Sequence, residues 1–334
     1  MEHPQISVLI PSYNSAHYLS VALNSVERQT FTDWECLIVD DGSTDGTRQI
    51  AESHVQRDPR FRYFYKDNGG LPSTRNYGLE RARGRWVQFL DADDWLAEDK
   101  FSRQLAAAEK LTATVPRLVY SDYEVVTMDD HDGESSRRDV IIGAKSREQL
   151  LSDMINWAFH PDVSLHANNV LIERSAFDSV RFDESFRTFG DMELFVRMLC
   201  HPVECVYVPM RSMGYRVHQH NITRNMALTR TYYLQYLAAI ERHHPGLLKQ
   251  YARPDGLVAN VRKLVLECIA QRNHDRLRQL ESLIDEIGLP IRVRGGRWLG
   301  RNRIIEMLYL LRPVLPRRVW MKIWQTTYEK PHFQ

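Results

Sequence analysis

Apolar runs and amphipathic stretches alternate along the first hundred residues. The apolar runs are short and rich in β-branched side chains, which predicts buried strands, and between them apolar residues recur at helical spacing. The strands with their following turns cover 6–14, 34–47, 61–70 and 85–94, and the helices cover 16–29, 47–58, 71–84 and 99–113. This alternation predicts an α/β domain with a mostly parallel sheet and crossover helices.

Each of these four strands ends in polar residues. The four groups are Ser12-Tyr13-Asn14, Asp40-Asp41, Asp67-Asn68, and Asp91 with Asp93. In an open α/β sheet the ligand crevice lies at the carboxyl ends of the strands. The pattern therefore predicts one binding site at that edge of the sheet.

The alternation loosens after residue 115. We predict a strand at 117–126, an exposed charged loop at 127–139, a helix at 146–158, a strand and turn at 168–177, and a helix at 191–200. From about residue 229 helical periodicity dominates, which predicts a C-terminal α-helical region over 229–334.

Composition narrows the class of protein. Of 334 residues, 43% are hydrophobic and 26% are charged, as is typical of a soluble globular chain, and the net charge of +1 argues against a general nucleic-acid binder. Four cysteines and no C-x-x-C pair favour reduced thiols in the cytoplasm. We expect no secretory signal, because the N-terminal "MEHPQISVLIPSYN" has no basic region followed by a long apolar stretch. We also expect no transmembrane helix, because no apolar run reaches about 18 residues.

Three carboxylates, Asp91, Asp93 and Asp94, crowd into four positions after the fourth apolar run. Like charges raise each other's pKa values unless a positive group lies among them. Two interpretations stay open: a solvated surface turn, or a site for a cation and its anionic ligand. Asp94 also suits the N-cap of the next helix.

Several motifs in order carry a family resemblance. They are "PSYNSAHYLSVALNSVERQTFTDWECLIVDDGSTDGT", "NGGLPSTRNYGLERARGRWVQFLDADD", "FDESFRTFGDMELFVRM" and "YRVHQHNIT". Together they resemble the family 2 nucleotide-sugar glycosyltransferases over about residues 5–225. The resemblance implies the GT-A fold, a Rossmann-like mixed sheet flanked by helices. It divides 1–228 into a nucleotide-binding half, 1–115, and an acceptor-binding half, 116–228.

By this resemblance, residues at the ends of the predicted strands, together with an arginine of the helix at 71–84, hold the nucleotide. Asp41 would accept a hydrogen bond from the imide N–H of uracil or thymine, Tyr13 would offer a flat face to the base, and Arg75 would reach the nucleotide or its phosphates. The implied donor-binding set is Pro11, Tyr13, Asp41, Arg75, Asp91 and Ala92.

The resemblance also implies a divalent cation, Mn²⁺ or Mg²⁺, held by Asp93 and by His218. Such a cation neutralises the charge that gathers on the departing diphosphate, and both ions accept oxygen ligands. His220 lies two residues from His218 and is easily confused with it.

The catalytic base implied by the resemblance is Asp191, at the start of a helix. Gly190 stands where the family often has Glu, and Glu193 is the second candidate for the base. Alternatively, Asp191 only stabilises the helix N-terminus, where a carboxylate is favoured. His166, in the segment "HANN", is expected to line the acceptor cavity.

The implied function is that of an inverting hexosyltransferase. It would move a sugar from a nucleoside-diphosphate sugar, a UDP-sugar by the contact at Asp41, to a hydroxyl of a glycan or lipid-linked acceptor in surface polysaccharide biosynthesis. Two alternatives stay open: transfer to polyprenyl phosphate, and a catalytically silent module that binds nucleotide sugars.

The stretch 292–325 is rich in Arg and Trp and predicts an amphipathic helix from Leu299, broken at Pro313. Basic amphipathic helices bind anionic membrane surfaces, and they also pack against other helices or another subunit. We therefore expect a cytoplasmic protein that is either peripheral at the inner face of the membrane or held in a homo-oligomer. We expect no nucleic-acid partner, because the arginines alternate with a wide apolar stripe.

Overall fold

The computed structural model describes residues 3–129, 131, 133–156, 165–219, 221 and 226–252, with short pieces at 279–280, 282–283, 287, 292–293 and 297–298. The chain divides into two compact units, Met1–Asn225 and Met226–Gln334.

The first unit starts with four parallel strands. They are β1 (Ile6–Ser12), β2 (Trp34–Asp40), β3 (Phe61–Tyr65) and β4 (Trp86–Phe89), in the sheet order β3-β2-β1-β4. Every residue of β1, β2 and β4 is buried, which explains their continuous apolar character. The connecting helices are α1 (Leu19–Glu27), α2 (Thr47–Arg57) and α3 (Leu71–Arg81).

Helix α3 ends three residues earlier than its predicted end at Gly84. The backbone is already extended at Ala82, with φ −66° and ψ 127°. Gly84 instead passes against the start of β1, where a Cβ on Gly84 would lie 2.5 Å from the backbone nitrogen of Ser7. Gly84 is thus required for close backbone packing and does not terminate the helix.

The sheet continues beyond β4 with antiparallel and parallel neighbours. The added elements are β5 (Trp95–Leu96), α4 (Lys100–Glu109), β6 (Arg117–Met128), β7 (Glu134–Val140), α5 (Arg147–Ile155), β8 (Val170–Glu173), a 3₁₀ turn at Arg174–Asp178, α6 (Gly190–Cys200) and β9 (Glu204–Val217). The order becomes β3-β2-β1-β4-β8-β6-β9-β5, and β7 pairs with β6. The result is a mixed sheet of nine strands in the described residues.

Two strands differ from the sequence-based expectation. Part of the predicted exposed loop, 127–139, is the strand β7, whose side chains are exposed except at Val140. Arg137 stabilises it by ion pairs with Glu124 and Glu134, at 3.1 and 2.8 Å. The 14-residue strand β9 was not predicted, and it runs parallel to β6 with register shifts at Ser121 and Asp122.

The second unit contains α7 (Met226–His243) and α8 (Leu247–Tyr251), with Gly246 between them at φ +89°. Two short strands, β10 (Arg292–Val293) and β11 (Arg297–Trp298), pair antiparallel. The amphipathic helix predicted from Leu299 lies outside the described residues. Within the described part of the chain, every helix is too short or too polar to cross a bilayer.

Trp95 links the acidic turn, residues 91–94, to strand β9. It pairs with Gly214 in the β5–β9 ladder, and a Cβ on Gly214 would lie 2.1 Å from two atoms of the indole ring. The indole therefore lies directly on the β9 backbone. Arg216, two residues further along β9, places its guanidinium 5.3 Å from the centre of the same ring.

We predict that Gly214→Ala destabilises the protein by about 1–3 kcal/mol, because the added methyl group forces Trp95 to move. Urea denaturation of the four members of a Gly214→Ala, Trp95→Ala double-mutant cycle measures the effect. In the Trp95→Ala background the glycine substitution should have little effect. An equal loss in both backgrounds would contradict the direct contact.

Candidate active site

Three residues line up where the first three strands end. Ser12, Asp40 and Tyr65 are register partners across β1, β2 and β3. The hydrogen bonds between these strands continue one residue beyond the strand ends. The N–H of Asp41 donates to Ser12 O at 2.8 Å, and the N–H of Lys66 donates to Asp40 O at 2.9 Å. Tyr13, Asp41 and Lys66 therefore form one row at the carboxyl edge of the sheet.

The carboxylate of Asp41 is enclosed by the turn at 66–70. Its Oδ1 accepts hydrogen bonds from Lys66 Nζ at 2.6 Å and from the N–H of Gly69 at 2.9 Å, and its Oδ2 accepts one from the N–H of Gly70 at 2.8 Å. Burial raises the pKa of Asp41, but these donors outweigh it and lower the pKa below its ordinary value. Asp41 is thus an ionised acceptor held in a fixed position.

The turn at 66–70 depends on glycine. Gly70 has φ +86°, in the region that side chains with a Cβ rarely adopt. A Cβ on Gly69 would lie 2.8 Å from Lys66 Nζ. The sequence "NGG" therefore lets the backbone approach Asp41 closely enough for both N–H groups to bind it.

Among the other predicted donor-site residues, Tyr13 is 54% exposed, which leaves its ring accessible to a planar ligand. Pro11 is buried within β1, opposite Val39 of β2. Ala92 is buried in the acidic turn between Asp91 and Asp93.

Arg75 of α3 reaches the acidic turn at the end of β4. Its Nη2 donates to Asp91 Oδ1 at 2.7 Å, and its side chain is only 4% exposed. Burial raises the pKa of Asp91, but the charges of Arg75 and His166 outweigh it and lower the pKa. Two predicted donor-site residues are thus joined by an ion pair in which Arg75 is buried and Asp91 is partly exposed.

The two predicted metal ligands are also in contact. His218 Nε2 lies 3.0 Å from Asp93 Oδ2, and the ring of Tyr18 lies 4.7 Å from the imidazole ring, centre to centre. The N–H of His218 donates to the side-chain oxygen of Asn221. The loop after β9 is thereby held against the acidic turn.

Asp94 is not the N-cap of the next helix, as one interpretation of the sequence had it. Helix α4 begins at Lys100 and its N-cap residue is Asp99. Asp94 is fully buried, where Oδ1 accepts the N–H of Arg216 at 2.8 Å and Oδ2 accepts Asn168 Nδ2 at 2.5 Å. It therefore ties the acidic turn to β9 and to the segment at 166–169.

The donor set of the acidic turn suits a divalent cation. Ligand atoms of Asp91, Asp94 and His166 lie within 4.8 Å of one another. Burial and the charges of Asp93 and Asp91 raise the pKa of Asp94 well above its ordinary value. Carboxylate and imidazole ligands are compatible with Mn²⁺, and the carboxylates with Mg²⁺.

Two residues of this site were not predicted from sequence. Asn168 is buried and accepts the N–H of Asp91 at 3.1 Å while donating to Asp94, so it fixes both ends of the turn. Arg216 is 9% exposed, and its guanidinium lies 4.7 Å from the ring centre of Tyr18. Its Nε is buried with no hydrogen-bond partner within the described part of the chain. The only sequence signal for Arg216 was its place in the Tyr-Arg-x-His motif.

Asp191 lies in the first turn of α6 and is partly exposed. A Cβ on the preceding Gly190 would lie 3.5 Å from Pro72 Cγ, so α6 begins beside the start of α3. Asn76 of α3 holds the approach to α6, donating to Phe182 O at 2.9 Å and accepting the N–H of Phe182 at 3.0 Å. The predicted base therefore lies at the same edge of the sheet as the nucleotide-site residues.

Glu193, the second candidate for the base, is engaged in a buried ion pair. Both of its oxygens accept hydrogen bonds from Arg197, each at 2.6 Å, and the Glu193 side chain has no exposed surface. With both oxygens bound and no exposed surface, the Glu193 carboxylate is out of reach of an acceptor hydroxyl. Asp191 is the better placed of the two.

The comparisons with known proteins agree on one family. The family model described as "Glycosyl transferase family 2" matches residues 7–180. EpsH of Bacillus subtilis, which carries the name of a glycosyltransferase, is 30% identical over 230 residues, or 67% of this chain and 64% of EpsH. TuaG of the same organism, named for teichuronic acid biosynthesis, is 46% identical over 103 residues, or 30% of this chain and 41% of TuaG. The chain thus spans less than two thirds of either relative.

Solved structures share the fold at low sequence identity. S. aureus TarS 1-349 matches with a TM-score of 0.53 at 16% identity, covering 88% of this chain and 98% of TarS 1-349. The mannosyltransferase PcManGT from Pyrobaculum calidifontis, solved with GDP-Man and Mn²⁺, matches with a TM-score of 0.53 at 15% identity, covering 99% and 89%. The predicted α/β fold is confirmed, and the chain belongs to glycosyl transferase family 2, with its GT-A fold.

Proposed function

We propose that this chain transfers a sugar from a nucleoside-diphosphate sugar, specifically a UDP-sugar, to a hydroxyl group of a glycan or lipid-linked glycan. The observation that carries the proposal is the convergence at one sheet edge of the row Tyr13, Asp41 and Lys66 with the acidic turn. TarS has been solved with UDP and with UDP-GlcNAc, and PcManGT with GDP-Man, which supports a nucleoside-diphosphate sugar as the donor. The choice of uracil rests on the acceptor that Asp41 offers to an imide N–H.

The proposed donor site extends from the row to the acidic turn. Asp41 accepts the imide N–H of the base and Tyr13 stacks on its face, while Arg75 and Asp91 lie towards the ribose and the phosphates. The guanidinium of Arg216 lies 4.7 Å from the ring centre of Tyr18, whose ring in turn lies 4.7 Å from that of His218, and it would add positive charge to this part of the site.

Asp93 and His218 would hold the cation, and Asp91, Asp94 and His166 form the neighbouring ligand group. When bound, a divalent cation supplies Lewis-acid neutralisation of the departing diphosphate. The ion pair of Arg75 with Asp91 and the hydrogen bonds of Asn168 to both ends of the turn keep the carboxylates in place for it.

Asp191 acts as the general base in the proposed mechanism. It takes the proton of the acceptor hydroxyl as that oxygen attacks the anomeric carbon. The bond between the anomeric carbon and the diphosphate oxygen breaks with its electron pair leaving on the diphosphate. This single displacement inverts the configuration at the anomeric carbon.

We predict that Asp191→Asn lowers kcat by about 10²–10⁴-fold, because the amide cannot accept the proton. A coupled assay of nucleotide release with a glycan acceptor measures the rate. Asp178→Asn is the matched control, because Asp178 is exposed at the end of the 3₁₀ turn, and it should be as active as the wild type.

Full activity of Asp191→Asn would instead favour the second candidate function, transfer to polyprenyl phosphate. That acceptor is already anionic and needs no base. The same assay with polyprenyl phosphate in place of the glycan distinguishes the two acceptors.

We predict that the release of UDP from a hydrolysable UDP-sugar requires a divalent cation. Activity should be lost in EDTA, return with Mn²⁺, and fall strongly in Asp93→Asn. Release that is equal with EDTA and with Mn²⁺ would contradict the metal site, and no release under any condition would favour a catalytically silent binding module.

A role in surface polysaccharide biosynthesis is supported by the name of TuaG, and it belongs to the same proposal. Contact with a membrane or with a second subunit through 292–325 stays a prediction from the sequence. Most of that stretch lies outside the described residues.

A further inference from the structure

Lys66 occupies a place in the proposed donor site to which the family resemblance gave no role. It follows β3 as Asp41 follows β2 and Tyr13 follows β1. Neighbouring strands lie about 4.8 Å apart, so the row of three spans about 10 Å, the scale of a nucleotide base and its contacts. A planar ring, an acceptor and a cation thus stand side by side.

Asp41 and Lys66 do not use all of their hydrogen-bonding positions on each other and on the turn. A carboxylate has about four acceptor positions, and Asp41 uses three, two on Oδ1 and one on Oδ2. The Lys66 ammonium has three hydrogens, of which one goes to Asp41 and one to Asp67 O at 2.7 Å. Within the described residues its third hydrogen has no acceptor. One acceptor on Oδ2 and one donor on Nζ therefore remain.

The Lys66 side chain is held by the turn at 66–70. Its side chain is 15% exposed, and its Nζ lies 2.8 Å from the position that a Cβ on Gly69 would take. A side chain held in this way loses little conformational entropy on binding. In such a buried place a mismatched donor or acceptor on the ligand is left unpaired, which makes the site selective.

We propose that Lys66 donates a hydrogen bond to O4 of uracil, next to the imide N3–H that Asp41 accepts, and so selects uracil over cytosine, which carries an amino group at position 4. Uracil presents N3–H between two carbonyl groups, which matches an acceptor beside a donor. Cytosine presents an unprotonated N3, which meets the Asp41 carboxylate with a second acceptor. This inference rests on the proposed function, because it takes the ligand to be a nucleoside diphosphate.

Calorimetric titration of the full chain with UDP and CDP in the presence of Mn²⁺ tests the proposal. The wild type should prefer UDP, and Lys66→Met should lose about tenfold or more in UDP affinity, the usual effect of one hydrogen bond to a charged group. The affinity of Lys66→Met for CDP should change little, so the preference of this variant for UDP over CDP should be smaller than that of the wild type. Lys110→Met is the control, because Lys110 is exposed at the end of α4 and should leave both affinities unchanged.

Thio-substituted nucleotides separate a direct contact from an indirect effect through Asp41. Sulfur is a weaker acceptor than oxygen, so 4-thio-UDP should bind the wild type more weakly than UDP does, whereas 2-thio-UDP, whose O4 is intact, should not. In Lys66→Met this difference should disappear, and in Lys66→Arg it should persist. Thermal unfolding without ligand shows whether each variant is folded.

The outcomes distinguish this inference from the proposed function. A wild type that binds UDP no better than CDP, or binds neither, overturns both. The role of Lys66 alone is overturned if the wild type prefers UDP and the Lys66→Met variant keeps both that preference and the response to the thio-nucleotides.

Discussion

The repulsion among Asp91, Asp93 and Asp94 is the constraint on which the rest of the site depends. Each carboxylate is held by a different part of the fold: Asp91 by Arg75 of α3, Asp93 by His218 after β9, and Asp94 by Asn168 and the Arg216 backbone. The acidic turn is therefore tied to α3, to β9 and the loop after it, and to the segment at 166–169. A cation that binds there would complete a charge balance that the protein leaves unfinished.

The nucleotide end of the site follows from a simpler constraint, the register of parallel strands. Because β1, β2 and β3 end level with one another, the residues that follow them form a row. The glycines of the turn at 66–70 then let backbone N–H groups reach Asp41. Both ends of the proposed donor site thus arise from how the sheet terminates.

The local sequence pattern predicted the strands whose burial shows in their own residues. The apolar runs of β1, β2 and β4 are buried on both faces, so composition alone marks them. The polar strand β7 has no such signal, because its formation depends on pairing with β6. The long strand β9 was missed for a similar reason, since its partners β6 and β5 are distant in sequence.

In the candidate site, too, some features could be predicted from the local sequence and others could not. Asp91 and Asp93 follow an apolar run, so their place at a strand end could be predicted. The partners of Asp94 are 122 and 74 positions away, and no local pattern indicates them. The ion pair of Glu193 with Arg197 joins positions i and i+4 of one helix, so the sequence could have indicated it. The complete burial of the Glu193 side chain depends on how α6 packs, which the local sequence does not reveal.

The central claim is that the acidic turn binds a cation and a diphosphate at one place. Calorimetric titration of the protein with UDP and with Mn²⁺, each in the presence and absence of the other, tests it most directly. Binding of UDP should be strengthened by Mn²⁺, and binding of Mn²⁺ should be strengthened by UDP by the same factor, as linkage requires. Equal UDP affinity with and without Mn²⁺ would contradict the claim.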